Sequence, residues 1–188
     1  MRRGFKAEAE RLAAHAREQL ALDPLSGIDP WAYAKALGIV VLSFDQLNLP
    51  EAHKRQLLQV DPDSWSGLTL KDESGDAFVL LNPVHQRPRQ CSTLMHEVSH
   101  VKLKHVPGQV HLATSGLMLL SDYPDDQEQE ADWLAAAILL PRNVLHHHRS
   151  MGWDVAKICA HFGLSREICE WRLRMTGIDR QMPRRQAY

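Results

Sequence analysis

Apolar positions in residues 5–20 recur at helical spacing, with Phe5, Leu12, Ala16 and Leu20 among them and few breakers between, which predicts an amphipathic helix. The breaker-rich "DPLSGIDP" (23–30) ends it. "WAYAKALG" then reads as a short helix stopping at Gly38, and "IVVLSF" (39–44) as a strand. The polar stretch 45–59 follows neither period. "SGLTLKDESGDAFVLLNP" places two β-rich runs around "DESGD", the pattern of a hairpin. Two strong helices follow, "PRQCSTLMHEVSHVKLKH" entered after Pro88 and closed before Pro107, and "DDQEQEADWLAAAILLP" bounded by Pro124 and Pro141. Between them, 106–124 reads as irregular with an apolar middle, "SGLMLL". "WDVAKICAHFGLSREICEWRLRM" reads as two helices about a turn at Gly163, with Ser165 as N-cap of the second. The chain shows no repeats, so the pattern predicts one domain, 1–188, with a helix-turn-helix-like segment at 150–180.

Composition narrows the partners more than the fold. At 188 residues the chain can bury a core without disulfides. A formal net charge of −1 provides no global field toward nucleic acid or an anionic membrane. The three cysteines, Cys91, Cys159 and Cys169, have no CxxC spacing, which predicts free thiols in a reducing compartment. No segment approaches the roughly 18 apolar residues of a membrane span, and the charged N-terminus has no apolar signal core. A cytoplasmic location is the expectation.

The chemistry concentrates in "HEVSH". On a helix, positions i and i+4 are about 40° apart on one face, so His96 and His100 can turn their imidazoles to one ion. Glu97 lies about 100° round from His96, within reach of a water on that ion but poorly placed to be a ligand. Two histidine ligands and a glutamate base are the parts of an HExxH zinc site. The same pattern also describes two ordinary histidines on a helix. Catalytic zinc needs a third protein ligand. In "EQEADWLAAA", Glu128, Ala131, Asp132 and Ala135 fall at i, i+3, i+4 and i+7. Small alanines allow that face to approach the first helix, so Glu128 can complete the ligand set and Asp132 can hold a ligating imidazole. Glu130, on another face, ranks second. Asp125 followed by Glu128 also fits a capping box, which would leave Glu128 only finishing a helix start.

These two blocks resemble the signatures of the ImmA/IrrE-type metallopeptidases. The matching positions are Arg89, His96, Glu97, His100, Glu128, Ala131, Asp132, Leu134, Ala135 and Pro141. Ser99 stands where glycine or alanine is usual, and Leu134 where phenylalanine is common. The resemblance implies an α+β fold, a mainly helical zincin-like domain with a small β-sheet packed on the active-site helix. It implies Zn2+ as cofactor and, as substrate, a separate helix-turn-helix repressor. The alternatives are a zinc-bound anti-repressor that acts by binding alone, or a DNA-binding regulator. Direct DNA contact would rest on residues 166–185, which carry six arginines against three acids; packed helices are the simpler account. Tyr123, His105 and His111 are the weak candidates for an oxyanion donor. Cys91 is expected to be a small buried residue, His146–His148 a solvated helix end, and Trp31, Trp133, Trp153 and Trp171 core residues.

Overall fold

The computed structural model describes residues 1–47, 49–112 and 118–181. Helix α1 (Phe5–Gln19) buries a stripe of Phe5, Ala9, Ala13 and Ala16, small residues that bring it close to its neighbours. Helix α2 (Pro30–Ala36) starts on Asp29, whose carboxylate accepts from Trp31 N at 3.0 Å, with Pro30 supplying the fixed φ of a first helical position. Strand β1 (Val40–Leu42) follows. The polar stretch that follows neither period holds a 3-10 turn, the short α3 (Glu51–Arg55) and a π-helical turn, none with a buried apolar face except at Phe44. Strands β2 (Gly67–Lys71) and β3 (Ala77–Leu81) form the expected hairpin, in register Thr69 to Val79.

The sheet order is β1-β3-β2-β5-β4, with β1 parallel to β3 and the remaining pairs antiparallel. Strand β3 has a strand on each side, and Val79, Leu80 and Leu81 are all buried. That explains its continuous apolar run in place of alternation.

The region expected to be irregular instead contributes β4 (Gln109–Leu112) and β5 (Met118–Ser121). β5 pairs with β2, Leu119 opposite Leu70. A short apolar run does not declare a strand by period; here a distant edge recruits it. Ser115, Gly116 and Leu117 of "SGLMLL" lie outside the described residues.

Helix α4 (Arg87–Leu103) lies on the sheet, with Leu94, Met95 and Val98 in one core with Val79 and Leu81. Its main neighbour is α5 (Asp125–Leu139), which α1 flanks as well. α5 is apolar nearly all round from Ala131 to Leu139, as a central helix must be. Arg17 is buried in this core, donating from Nη1 to Ala13 O and Ile138 O and so tying α1 to α5. Burial pulls its guanidinium down to about 10.

Pattern reading leaves out α6 (Arg142–Ser150), which carries the three histidines. His148 is buried, not solvated, with its ring centroid 4.4 Å from that of Trp153 and its Nδ1 donating to Val144 O at 2.8 Å. The C-terminal pair is α7 (Val155–Phe162) and α8 (Arg166–Thr176), joined at Gly163 with φ +62 and capped by Ser165. Cys91 and Cys169 are buried free thiols, and Cys159 is half-buried and free. Trp133 is buried, whereas Trp31 is half-buried under the Arg87 guanidinium, 3.2 Å from its ring centroid. Trp153 and Trp171 are also half-buried. Among the described residues no helix is long and apolar enough to cross a membrane.

Arg172, one of the six arginines of 166–185, is fully buried. Its Nε donates to Leu140 O at 2.9 Å and its Nη2 pairs with Glu10 at 2.5 Å. Arg166 is held by Glu170 at 2.7 Å. Arg184 and Arg185 lie outside the described residues. The arginine excess therefore does not translate into a free basic face on α8.

Candidate metal centre

Helices α4 and α5 bring His96, His100 and Glu128 together, with one donor atom from each lying within 4.8 Å of the others. His96 Nε2 and His100 Nε2 are 3.1 Å apart. The Glu128 carboxylate spans them, Oε2 at 3.2 Å from His96 and Oε1 at 3.5 Å from His100. Glu128 does not finish a capping box, because the N-cap of α5 is Pro124 and its first turn has no side-chain cap. The far side of His96 is held as well: Nδ1 lies 2.9 Å from Asp132 Oδ1. With Nε2 facing the cluster, Nδ1–H is the donor to Asp132.

Glu130 is elsewhere. It is buried, accepts from Arg2 N at 2.6 Å and Arg2 Nε at 2.9 Å, and faces His105 rather than the cluster.

Glu97 turns toward the sheet, where Thr69 Oγ1 of β2 donates to its Oε2 at 2.5 Å. Gly67, two residues before Thr69, is required by close approach. A Cβ there would stand 2.5 Å from Thr93 Cγ2 and 3.5 Å from Glu97 Cγ. Sequence reasoning found neither residue, since a threonine and a glycine in a strand carry no local mark of a distant helix. Arg89, in the first turn of α4, binds Asp63 at 2.9 Å and Ser66 Oγ at 3.0 Å, fixing the segment that leads into β2.

Of the weak oxyanion candidates, Tyr123 stacks on His100, ring centroids 3.8 Å apart at 29°. His105 lies behind His100, Nδ1 to Nδ1 at 3.0 Å. His111 sits on exposed β4 and contacts Gln109.

The charges are strongly coupled. Burial opposes protonation of His96, but its hydrogen bonds to Asp132 and Glu128 and the nearby Glu97 prevail, holding it at about 10. Burial and the neighbouring His96 press His100 down to about 3. The pair therefore carries a single positive charge at neutral pH, on His96. Burial pushes the Glu97 carboxyl up, against the pull of His96 and Thr69. The hydrogen bond from His96 holds Glu128 below the usual carboxylate range. Two imidazole nitrogens and one carboxylate, all convergent, could hold a metal ion, and their composition is one that catalytic zinc sites use.

Open clefts flank this cluster. One, about 360 Å³, runs past Glu97, Gly67 and Thr93. Another, also about 360 Å³, lies across His96 and Asp132, with Ala135, Ala136, Ile168 and Trp171 as its apolar side. Trp171 is thus partly a cleft residue and not wholly a core one.

The cluster sits on an α+β fold of mainly helical content. The family model described as the IrrE N-terminal-like domain, of the M78 peptidases, matches residues 34–174, and the chain belongs to that family. Among solved structures it is similar to a chain titled "Mycobacterium tuberculosis transcriptional regulator", with a TM-score of 0.53 and 15% identity. The match covers 92% of this chain and 47% of that one, so this chain spans about half the length of its structural neighbour. No curated protein sequence matches the chain.

Proposed function

We propose that the chain is a zinc-dependent endopeptidase of the cytoplasm that cleaves a separate helix-turn-helix repressor and so releases transcription. The observation that carries this reading is Glu97. It flanks the His96–His100–Glu128 cluster, is half-buried, and opens on a cleft that continues past His96.

His96, His100 and Glu128 would hold the zinc, which when bound polarises a peptide carbonyl and makes water a nucleophile near neutral pH. The chain's own residues do the rest. Thr69 engages Glu97 Oε2 and leaves Oε1 to take the proton of the attacking water. Glu97 then returns that proton to the departing amine. Burial raises the Glu97 carboxyl above the usual carboxylate range, which makes it a stronger proton acceptor. Asp132 keeps His96 in the tautomer with Nε2 free. The apolar side of the second cleft, Ile168 and Trp171 on α8, gives a substrate side chain a place to dock beside the cluster. The regulator direction of the substrate is supported by the family and by the printed name of the structural neighbour.

Elemental analysis of the wild type, Glu128→Ala and Glu130→Ala tests the metal first. Near-stoichiometric zinc is expected in the wild type and in Glu130→Ala, with loss in Glu128→Ala. Host extract treated with the protein is then searched for new protein N-termini by mass spectrometry. New termini in a helix-turn-helix repressor, absent with a zinc-loaded Glu97→Ala variant, are the expected result. Equal repressor inactivation by wild type and Glu97→Ala, with no new termini, would overturn catalysis in favour of an anti-repressor that acts by binding.

A further inference from the structure

His100 has a buried support of its own, separate from the Asp132 that holds His96. Helix α4 ends at Lys104, which adopts the left-handed conformation (φ +55) and turns the chain back, so that His105 N bonds His100 O at 3.0 Å. This reversal brings His105 Nδ1 to 3.0 Å from His100 Nδ1. On the other side of the ring, His105 Nε2 is buried without a hydrogen-bond partner and lies 3.7 Å from Glu130 Oε2. Glu130 is itself clamped by the main-chain N and the Nε of Arg2, at 2.6 and 2.9 Å.

Two facing Nδ1 atoms share one proton, and its side decides what His100 can do. If His105 Nδ1 carries the proton, neutral His100 must carry its own on Nε2, and its metal-facing lone pair is lost. If His100 Nδ1 carries it, Nε2 is free, and neutral His105 must carry its proton on Nε2, toward Glu130. The Glu130 carboxylate, 3.7 Å away, favours the second arrangement by placing negative charge beside an N–H. At the other end Glu128 is engaged by His96 Nε2 at 3.2 Å, and the same His96 Nε2, 3.1 Å from His100 Nε2, faces the lone pair this arrangement frees.

We propose that Arg2, Glu130 and His105 form a positioning relay that fixes the tautomer and orientation of His100 for metal binding. The proposal rests on the metal-site reading above. It explains why a carboxylate that faces away from the cluster is buried behind His105. It also makes the segment leading into α1, through Arg2, part of the site. His105 is a positioning residue: it touches His100, and neither the peptide nor the ion.

The test uses the full chain and has two readouts. In the metal-free protein, nitrogen-15 NMR of the imidazoles is expected to show His100 protonated at Nδ1 and His105 at Nε2. The opposite tautomers in the wild type would overturn the relay, whatever the zinc result. Zinc affinity is then measured by competition with a fluorescent chelator. His105→Ala is expected to weaken binding about 10–100-fold, the usual effect of removing the partner of a ligating histidine. His105→Asn, which retains an acceptor near the Nδ1 position, is expected to recover much of the loss. Arg2→Ala, a change at an exposed side chain, acts in the same direction without opening the core. Affinities of His105→Ala and Arg2→Ala equal to wild type would overturn the relay and leave the three-ligand site standing. A wild type that binds no zinc would overturn both.

Discussion

Thr69 on β2 and Glu97 on α4 are 28 positions apart in the chain, yet the threonine hydroxyl donates to the glutamate carboxylate at 2.5 Å. The sheet thus aims the candidate base, while the two helices assemble the candidate ligands. Replacing Thr69 by valine keeps the shape and removes the donor. A hydrogen bond to a charged group is worth about 1.5–3 kcal/mol, so a loss of roughly 10–100-fold in kcat is expected if the bond is needed in the transition state. Zinc content is expected to be unchanged. Wild-type kcat in Thr69→Val would show that Glu97 needs no such orientation.

Gly67 makes the same relationship sensitive to backbone spacing. An alanine Cβ 2.5 Å from Thr93 Cγ2 makes either the Thr93 side chain or the β2–α4 spacing shift. Gly67→Ala is expected to destabilise by about 1–3 kcal/mol, as overpacking does, and to lower activity beyond the loss of stability. Denaturant unfolding and turnover of the folded fraction check the two effects. Unchanged stability would mean that Thr93 moves aside freely.

Metal uptake is expected to release protons. His96 binds its proton with a folded-state pKa of about 10, while His100, at about 3, is already neutral. Zinc binding at pH 7 therefore displaces about one proton from the pair, because ligating imidazoles must be deprotonated. Titration calorimetry in buffers of different ionisation enthalpy counts it. A release near two, or none, would contradict the assigned charges.

The sign for stability follows from the same shift. The His96 pKa is raised from an ordinary value near 6.5, so its contribution to the metal-free protein is fully present below that value. It is lost as pH rises toward about 10. Melting temperature of the chelator-treated protein is expected to fall across this window, and to fall less in Asp132→Asn, which lacks the charge facing Nδ1. Parallel curves for the two proteins would remove His96 as the cause.

Arg172 is expected to act on stability alone. Removing one partner of a buried ion pair costs about 3–5 kcal/mol, because the remaining polar groups are stranded; here they are Glu10 and the Leu140 carbonyl. Arg172→Ala is expected to lower the unfolding midpoint strongly, whereas Arg174→Ala, on the exposed face, is expected to leave it nearly unchanged. Salt-dependent duplex binding that weakens on Arg174→Ala, with the fold intact, would reopen a role in DNA contact.

Local pattern alone determined the main helices, the β2–β3 hairpin and the spacing of His96, Glu97, His100, Glu128 and Asp132. Helical period and turn chemistry act over a few residues, and all the relevant information lies within that range. What needed the tertiary structure is what depends on distant partners. β5 is a strand because β2 offers it an edge, Leu70 to Leu119. Glu128 and Glu130 were separable from sequence only by helix face. In the fold, Glu130 is withdrawn to Arg2, 128 positions away. Thr69 and Gly67 meet Glu97, Arg172 leaves the surface for Glu10, and His105 folds back under His100 through one left-handed residue. A sequence states which side chains share a helix face, but which groups meet across elements is decided by packing.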